Sequence, residues 1–169
     1  LNTNSSSTSA HATLDNGTTA LDIAASTIGG TLTLTSGHAS GITDSGTVTV
    51  GGNLVATTDA NNGVINMGTL AVDGTAALTT NGTGDATVVN DNGLDFAAST
   101  IGGDLIATAS AGDVVQSGAL TIVGLTTITA TGNDVTLNNA SNDFDSDDDG
   151  SNGRLVTITG KDVNIRNSD

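Results

Sequence analysis

Residues 21–30 read Leu-Asp-Ile-Ala-Ala-Ser-Thr-Ile-Gly-Gly, and residues 94–103 repeat this stretch with one change, from Ile23 to Phe96. Between the two copies, residues 24–30 are identical to residues 97–103. Self-similarity of this kind is the sequence signature of a repeat architecture. The fold must therefore stack similar units along the chain.

A shorter repeat lies within the duplicated block. The stretches that begin at Gly46, Gly68 and Gly118 read Gly-Thr-Val-Thr-Val, Gly-Thr-Leu-Ala-Val and Gly-Ala-Leu-Thr-Ile. Their alignment predicts coils of about 22–26 residues. The predicted coils are 21–45, 46–67, 68–93, 94–117 and 118–139. Within each coil apolar residues alternate with polar ones in three short runs, as in strands that bury one face.

Three short strands in every coil predict an all-β fold, a parallel β-helix (β-solenoid) of about six coils. Right-handedness is expected from the general rule for parallel crossovers. A β-sandwich is the alternative all-β fold, but its hairpins would not repeat in register along the sequence. We predict a polar, flexible lead at 1–16 and a single β-helical domain at 17–169 that carries an acidic loop insertion at 145–154.

The composition excludes several classes of protein. The 169 residues include 18 Asp, no Glu and only three Lys or Arg, for a formal net charge of −15, and there is no Cys, Trp or Tyr. Nucleic acid is not an expected partner, because binding to phosphates needs clustered cations. No apolar run approaches the roughly 20 residues that span a membrane. We predict no enzyme, since sugar-cleaving β-helices use aromatic platforms and cationic groups, whereas this chain has no Trp or Tyr and carries its only Lys and Arg at Arg154, Lys161 and Arg166.

Three stretches together resemble the repeats of filamentous-haemagglutinin-like exoproteins. They are residues 94–103, Ser-Gly-Ala-Leu-Thr-Ile at 117–122, and Asp-Val-Thr-Leu-Asn-Asn-Ala-Ser-Asn-Asp-Phe at 134–144. The resemblance extends over about 17–144 and, more weakly, over 155–167. Such proteins are large bacterial surface or secreted adhesins, many exported by two-partner secretion, and their repeats form right-handed β-helical stalks. The resemblance implies an extracellular or cell-surface stalk segment without catalytic residues, joined to other parts of a larger chain, with a host or matrix receptor as a partner.

The ends of the predicted solenoid allow a second function. Neither end carries a recognisable cap, and the chain starts at Leu1, so we expect a piece processed or excised from something larger. Open strand edges also allow identical subunits to stack head to tail, and contacts that do not close generate filaments. A subunit of a self-assembling extracellular filament is therefore the alternative.

The insertion at 145–154 suggests one cofactor, Ca²⁺. Asp145, Asp147, Asp149 and Gly150 occupy positions 1, 3, 5 and 6 of an EF-hand-type loop, and Ser151 follows at position 7. The twelfth position, where such a loop has a bidentate Glu, is Val156, so the loop is incomplete. The interpretations left open are a calcium-dependent binding module and a solvated acidic loop without a ligand.

Five Thr residues align at one outward position of successive predicted coils. They are Thr35, Thr57, Thr79, Thr108 and Thr129. We predict a structural ladder whose stacked hydroxyls pair while the methyls pack. An ice-binding surface would need a second Thr column two residues earlier. That column reads Thr33, Val55, Ala77, Ile106 and Thr127, and its irregularity favours the structural ladder.

Overall fold

The computed structural model describes residues 1–4, 6–59, 62–145 and 155–168. These residues form 19 short strands, and every pairing between two strands is parallel. The strands stack as a β-solenoid of about six turns with three short strands in a turn, which confirms the predicted fold class. The described residues contain no helix, and so none that could cross a membrane.

The strands lie on four faces, of which faces 1 and 3 run along the whole solenoid. Face 1 consists of β2 (Leu21–Ile23), β5 (Ile42–Asp44), the first part of β8 (Ile65–Val72), β10 (Ala86–Asn90), β13 (Leu105–Ala109), β16 (Thr126–Thr129) and β18 (Val156–Thr159). Face 3 consists of β1 (Ala12–Asp15), β4 (Leu32–Ser36), β7 (Leu54–Thr58), β9 (Thr75–Thr79), β11 (Leu94–Phe96), β14 (Val114–Gln116), β17 (Val135–Leu137) and β19 (Val163–Ile165).

Faces 2 and 4 each cover only part of the length. Face 2 consists of β3 (Ser26–Ile28), β6 (Val48–Val50) and the last part of β8. Face 4 consists of β12 (Ser99–Ile101) and β15 (Leu120–Ile122), followed by a parallel bridge between Thr121 and Asp143. The amino-terminal turns therefore have faces 1, 2 and 3, and the carboxy-terminal turns have faces 1, 3 and 4.

The change of faces displaces the later coil boundaries from their predicted places. Val48 pairs with Leu70, as the alignment of the shorter repeat predicts. The third stretch of that alignment, which begins at Gly118, does not continue the column, since its Leu120 pairs with Ser99 on face 4 and not with a strand of face 2. Before the acidic insertion, most paired residues on faces 1 and 3 are separated by fewer residues than the predicted coil length of 22–26. The turns are therefore slightly shorter than predicted.

Aliphatic side chains fill the interior of the solenoid. On each of the inner strands alternate residues are buried, as the period of two predicts, and most are Leu, Ile, Val or Ala. Apolar character alone does not identify the inward residues of β8, because Val64 is half-buried while Ile65 and Met67 are enclosed. Ile65 and Met67 keep the spacing of two that one face of a strand requires, whereas Val64 and Met67 do not.

Three parts of the predicted lead at 1–16 pair with the solenoid: β1, Asn2 and Thr3. β1 pairs in register with β4, from Ala12 with Leu32 to Asp15 with Thr35. Asn2 bridges Thr27, and the Thr3 N–H donates to the Thr27 carbonyl at 2.9 Å. Ala12 and Leu14 also pack against the core, since the alternation of β1 matches that of β4.

The chain forms two more strands after the acidic insertion. β18 pairs with β16 on face 1, and β19 pairs with β17 on face 3. All three residues of β19 are exposed. The stack thus continues past the insertion but ends, within the described residues, on a strand that nothing covers.

Candidate functional site

The acidic insertion leaves the solenoid where face 4 ends. The Ile122 N–H donates to the Asp143 carbonyl at 2.8 Å, and Phe144 is buried in the core. Asp145 is half-buried, and its N–H donates to Asp143 Oδ1 at 3.2 Å. Of the predicted calcium ligands only Asp145 is described, because Asp147, Asp149 and Ser151 lie outside the described residues. The calcium loop stays a prediction.

Many of the carboxylates in the described residues build the corners between faces. Asp85 Oδ1 accepts the Asp104 N–H, and Asp104 Oδ1 accepts the Leu125 N–H, both at 2.8 Å. Asp44 accepts the N–H groups of Gly68 and Thr69 at 2.9 and 2.8 Å. At a corner the backbone bends away from the ladder, and a charged acceptor gives a strong hydrogen bond to the amide of the next turn. These corner hydrogen bonds account for part of the high Asp content. No local sequence pattern distinguishes the Asp residues that make them.

Another group of carboxylates lines an open groove of about 330 Å³ at the level where face 2 ends. Its walls include Asp73, Asp95 and Asp113. Asp95 Oδ1 is buried and has no hydrogen-bond partner among the described residues. Across residues 1–4, 6–59, 62–145 and 155–168, however, no three His, Cys, Asp or Glu side chains are close enough to hold a metal ion. The groove is an acidic depression on the surface of the solenoid.

The five aligned Thr residues do not share one column, so that prediction is wrong. Thr35, Thr57 and Thr79 are paired partners on face 3. Thr108 and Thr129 are partners on face 1, where Val89 precedes them and Thr159 follows them. The predicted pairing of the hydroxyls is also not found, as no hydrogen bond joins these side chains within the described part of the chain.

The true register forms a two-column grid on the outside of face 1. One column consists of Thr87, Ile106, Thr127 and Thr157, and the other of Val89, Thr108, Thr129 and Thr159. Six of the eight positions are Thr, and none is charged. We call these eight residues the threonine grid. Sequence reasoning missed the grid because it placed Thr79 of β9 next to Thr108 of β13. In the structure β9 pairs with β11 and β12, and β13 pairs with β10.

The family model for Repeats of unknown function (DUF5649) matches residues 9–66 and 83–147, which together are more than half of the chain. The chain belongs to this family. The duplicated stretch lies near the start of each DUF5649 match, at 21–30 in the first and at 94–103 in the second.

The DUF5649 matches correspond to the two halves of the solenoid. Residues 67–82, between the matches, include the end of β8 and the whole of β9. This is the part of the chain after which face 2 stops and face 4 begins. Comparison of this DUF5649 chain with curated proteins and with solved structures finds no match.

Proposed function

We propose that this chain is a non-catalytic structural segment, a stiff β-solenoid stalk or scaffold in a large bacterial protein of the cell surface or the extracellular space. The observation that supports the proposal most strongly is the continuity of the ladder on face 3. Paired strands run there from β1 to β19 without a missing turn. A rod of this kind separates a binding tip from its anchor by a fixed distance.

The interior of the solenoid supports the same role. Leu32, Leu54 and Leu105 are at most 1% exposed, and the same dense aliphatic packing continues from Leu21 to Phe144. Interiors packed in this way have low compressibility and transmit strain. The net charge of −15 adds repulsion between neighbouring rods and so limits their association side by side.

Single-molecule force spectroscopy tests the stalk. The chain is placed between two handle domains and stretched from its ends. One turn should be released in each step, and the release of about 20 residues should lengthen the chain by about 70 Å at roughly 3.5 Å per residue. Unfolding without measurable force, or in one step with no intermediate lengths, would contradict a rod built to bear load turn by turn.

Apolar side chains at the carboxy-terminal end favour a second candidate, the self-assembling filament. Leu155, Val163 and Ile165 are 65%, 47% and 39% exposed. Val163 and Ile165 lie on β19, whose outer edge pairs with no other described strand. An added strand can pair with such an edge by β-augmentation. In a filament, that strand would come from an identical subunit.

Sedimentation velocity over a range of concentrations separates the two candidates. A filament subunit should form larger species as the concentration rises, and the double variant V163K/I165K should abolish them. Val115→Lys is the matched control, because Val115 is an exposed apolar residue on the side of face 3. A wild-type chain that stays monomeric rules out the filament and leaves the stalk. Runs in calcium and in EDTA show whether assembly needs the predicted Asp145 loop, as a calcium-dependent module would.

A further inference from the structure

We propose that the threonine grid of face 1 is an ice-binding surface, with the ordered water lattice of ice as its ligand. The proposal goes beyond the stalk function and rests on the register of four strands: β10, β13, β16 and β18. Their outward residues form two parallel columns of four. No position of the grid carries a charge that would interrupt these columns.

The spacing of the grid is set by the sheet itself. Neighbouring strands lie about 4.8 Å apart, and alternate residues along a strand lie about 6.6 Å apart. Surface planes of hexagonal ice repeat at distances close to these two. Because the strands are in continuous register from β10 to β18, the outward side chains keep both repeats over the whole grid.

The chemistry of the grid fits ordered water. The hydroxyls of Thr87, Thr108, Thr127, Thr129, Thr157 and Thr159 make no hydrogen bond to any other residue that the structure describes. Each therefore keeps its donor and both acceptor sites for water. The methyl group beside each hydroxyl restricts the orientation of the first water layer. A Thr side chain thus both orders a water molecule and holds it.

Charge and area favour ice over a protein partner. The molecule carries a net charge of −15, yet the grid is neutral. The carboxylates of Asp85 and Asp104 at its edge accept hydrogen bonds from backbone amides of the next turn. A grid of four strands and two columns covers only a few hundred Å², whereas a stable protein interface needs about 800 Å² on each partner. It also lacks the Trp, Tyr and Arg anchors that supply most binding energy between proteins.

The test is inhibition of ice recrystallisation by the purified chain, with thermal hysteresis as a second readout. The wild-type chain should inhibit growth of ice crystals, and the double variant T127K/T129K on β16 should lose this inhibition. The matched control is T33K/T35K on β4, since these two Thr residues are also half-buried outward residues of a strand, but on face 3. Circular dichroism checks that both variants keep the strand content of the wild type.

Three outcomes would overturn the proposal. The first is a wild-type chain that does not affect ice growth. The second is an equal loss of inhibition in T33K/T35K, which would show that face 1 is not the surface responsible. The third is sedimentation of the wild-type chain with crystalline cellulose together with no effect on ice, which would assign the grid to a polysaccharide surface.

Discussion

The first copy of the duplicated stretch, residues 21–30, forms β2 on face 1 and β3 on face 2, and leads into β4 on face 3. The second copy, residues 94–103, forms β11 on face 3 and β12 on face 4, and leads into β13 on face 1. The local structure is the same in both copies. Each strand of the second copy nevertheless lies on a different face from its equivalent in the first.

The Ser residue of each copy shows what the shared stretch does. Ser99 Oγ accepts the Leu78 N–H at 3.1 Å and donates to the Ala97 carbonyl at 2.9 Å. Ser26 Oγ donates in the same way to the Ala24 carbonyl and accepts from the Leu1 amino group at 2.9 Å. In both copies, therefore, the hydroxyl binds a backbone nitrogen of the turn before it, and the stretch sets a corner on whichever face it meets.

The spacing of the two copies explains the change of face. On face 3 Leu32 pairs with Leu54, which pairs with Ala76, and Phe96 follows as the next partner, so three turns lead from Leu32 to Phe96. Leu105, the second-copy equivalent of Leu32, comes only after β12 and lies on face 1. The distance between the two copies therefore corresponds to three full turns plus the part of a turn that leads from face 3 through face 4 to face 1.

The largest expected effect comes from the one residue that differs between the copies. Phe96 is fully buried, and Phe96→Ala should lower the free energy of unfolding by about 3–5 kcal/mol, because it removes the largest of the fully buried side chains and leaves a cavity. Denaturant unfolding followed by circular dichroism measures this change. Ile23→Ala, at the equivalent position nearer the end, should cost less. A cost below about 1 kcal/mol for Phe96→Ala would contradict the packing.

The end of face 2 gives the second effect. Asn90 is buried; its Oδ1 accepts the Val72 N–H at 2.8 Å, and its Nδ2 donates to the Val72 and Gly93 carbonyls at 3.0 and 2.7 Å. This amide replaces the strand that face 2 lacks in the next turn. Asn90→Ala should cost about 2–3 kcal/mol of unfolding free energy, because the Val72 N–H loses its partner. Urea denaturation measures the loss.

Asn92→Ala is the control for Asn90→Ala. Asn92 is exposed and makes no hydrogen bond that the described residues show, so its substitution should change stability by no more than about 0.5 kcal/mol. Equal losses in the two variants would mean that the Asn90 amide does not close face 2.

The two Ser residues provide a smaller difference. Ser99→Ala should cost about 1–2 kcal/mol, because the N–H of Leu78, a fully buried residue, loses its acceptor. Ser26→Ala should cost less than half of this, since Leu1 is 47% exposed and water can replace the hydroxyl. Thermal unfolding of the two variants under one condition makes the comparison. The reverse order would show that the Ser hydroxyl is not what sets the corner.

The smallest effect is expected at Gly68, where β8 runs through the corner between faces 1 and 2. A Cβ added at Gly68 meets no atom within 4 Å, and the φ of Gly68 does not lie in the left-handed region. Gly68→Ala should stabilise the protein by about 0.4–1 kcal/mol, because Ala has fewer conformations in the unfolded chain. Gly132→Ala is the contrast, since Gly132 also has open space but a φ of +78°, and Ala there should destabilise. Equilibrium denaturation compares the two, and stabilisation by both would contradict the strained backbone at Gly132.

Much of the fold could be predicted from local pattern. The alternation of strands such as β4 and β16 gives their inward residues directly, because side chains of a strand point to opposite faces in turn. The register between turns could not be predicted in the same way. Thr79 and Thr108 look equivalent after their Gly residues, yet Thr79 pairs with Thr100 and Thr108 with Val89. The number of residues in each corner decides the partner, and that number varies from turn to turn.

The two candidate sites also differ in whether a local pattern or the register between turns brings their residues together. The acidic run at 145–149 is visible in the sequence because its spacing is local. The threonine grid draws on four strands from β10 to β18, which are unevenly spaced along the chain, so only the assembled stack brings it together.

By itself the sequence determined that this chain is a stack of short parallel strands, because the repeated stretch and the period of two act within a few residues of the chain. The tertiary structure alone decided which face each copy occupies, where face 2 gives way to face 4, and which Thr residues share a surface. Those properties depend on hydrogen bonds between successive turns, whose partners are far apart in the sequence. A change of one or two residues in a corner shifts all later partners, and so the same ten-residue stretch builds two different sides of one solenoid.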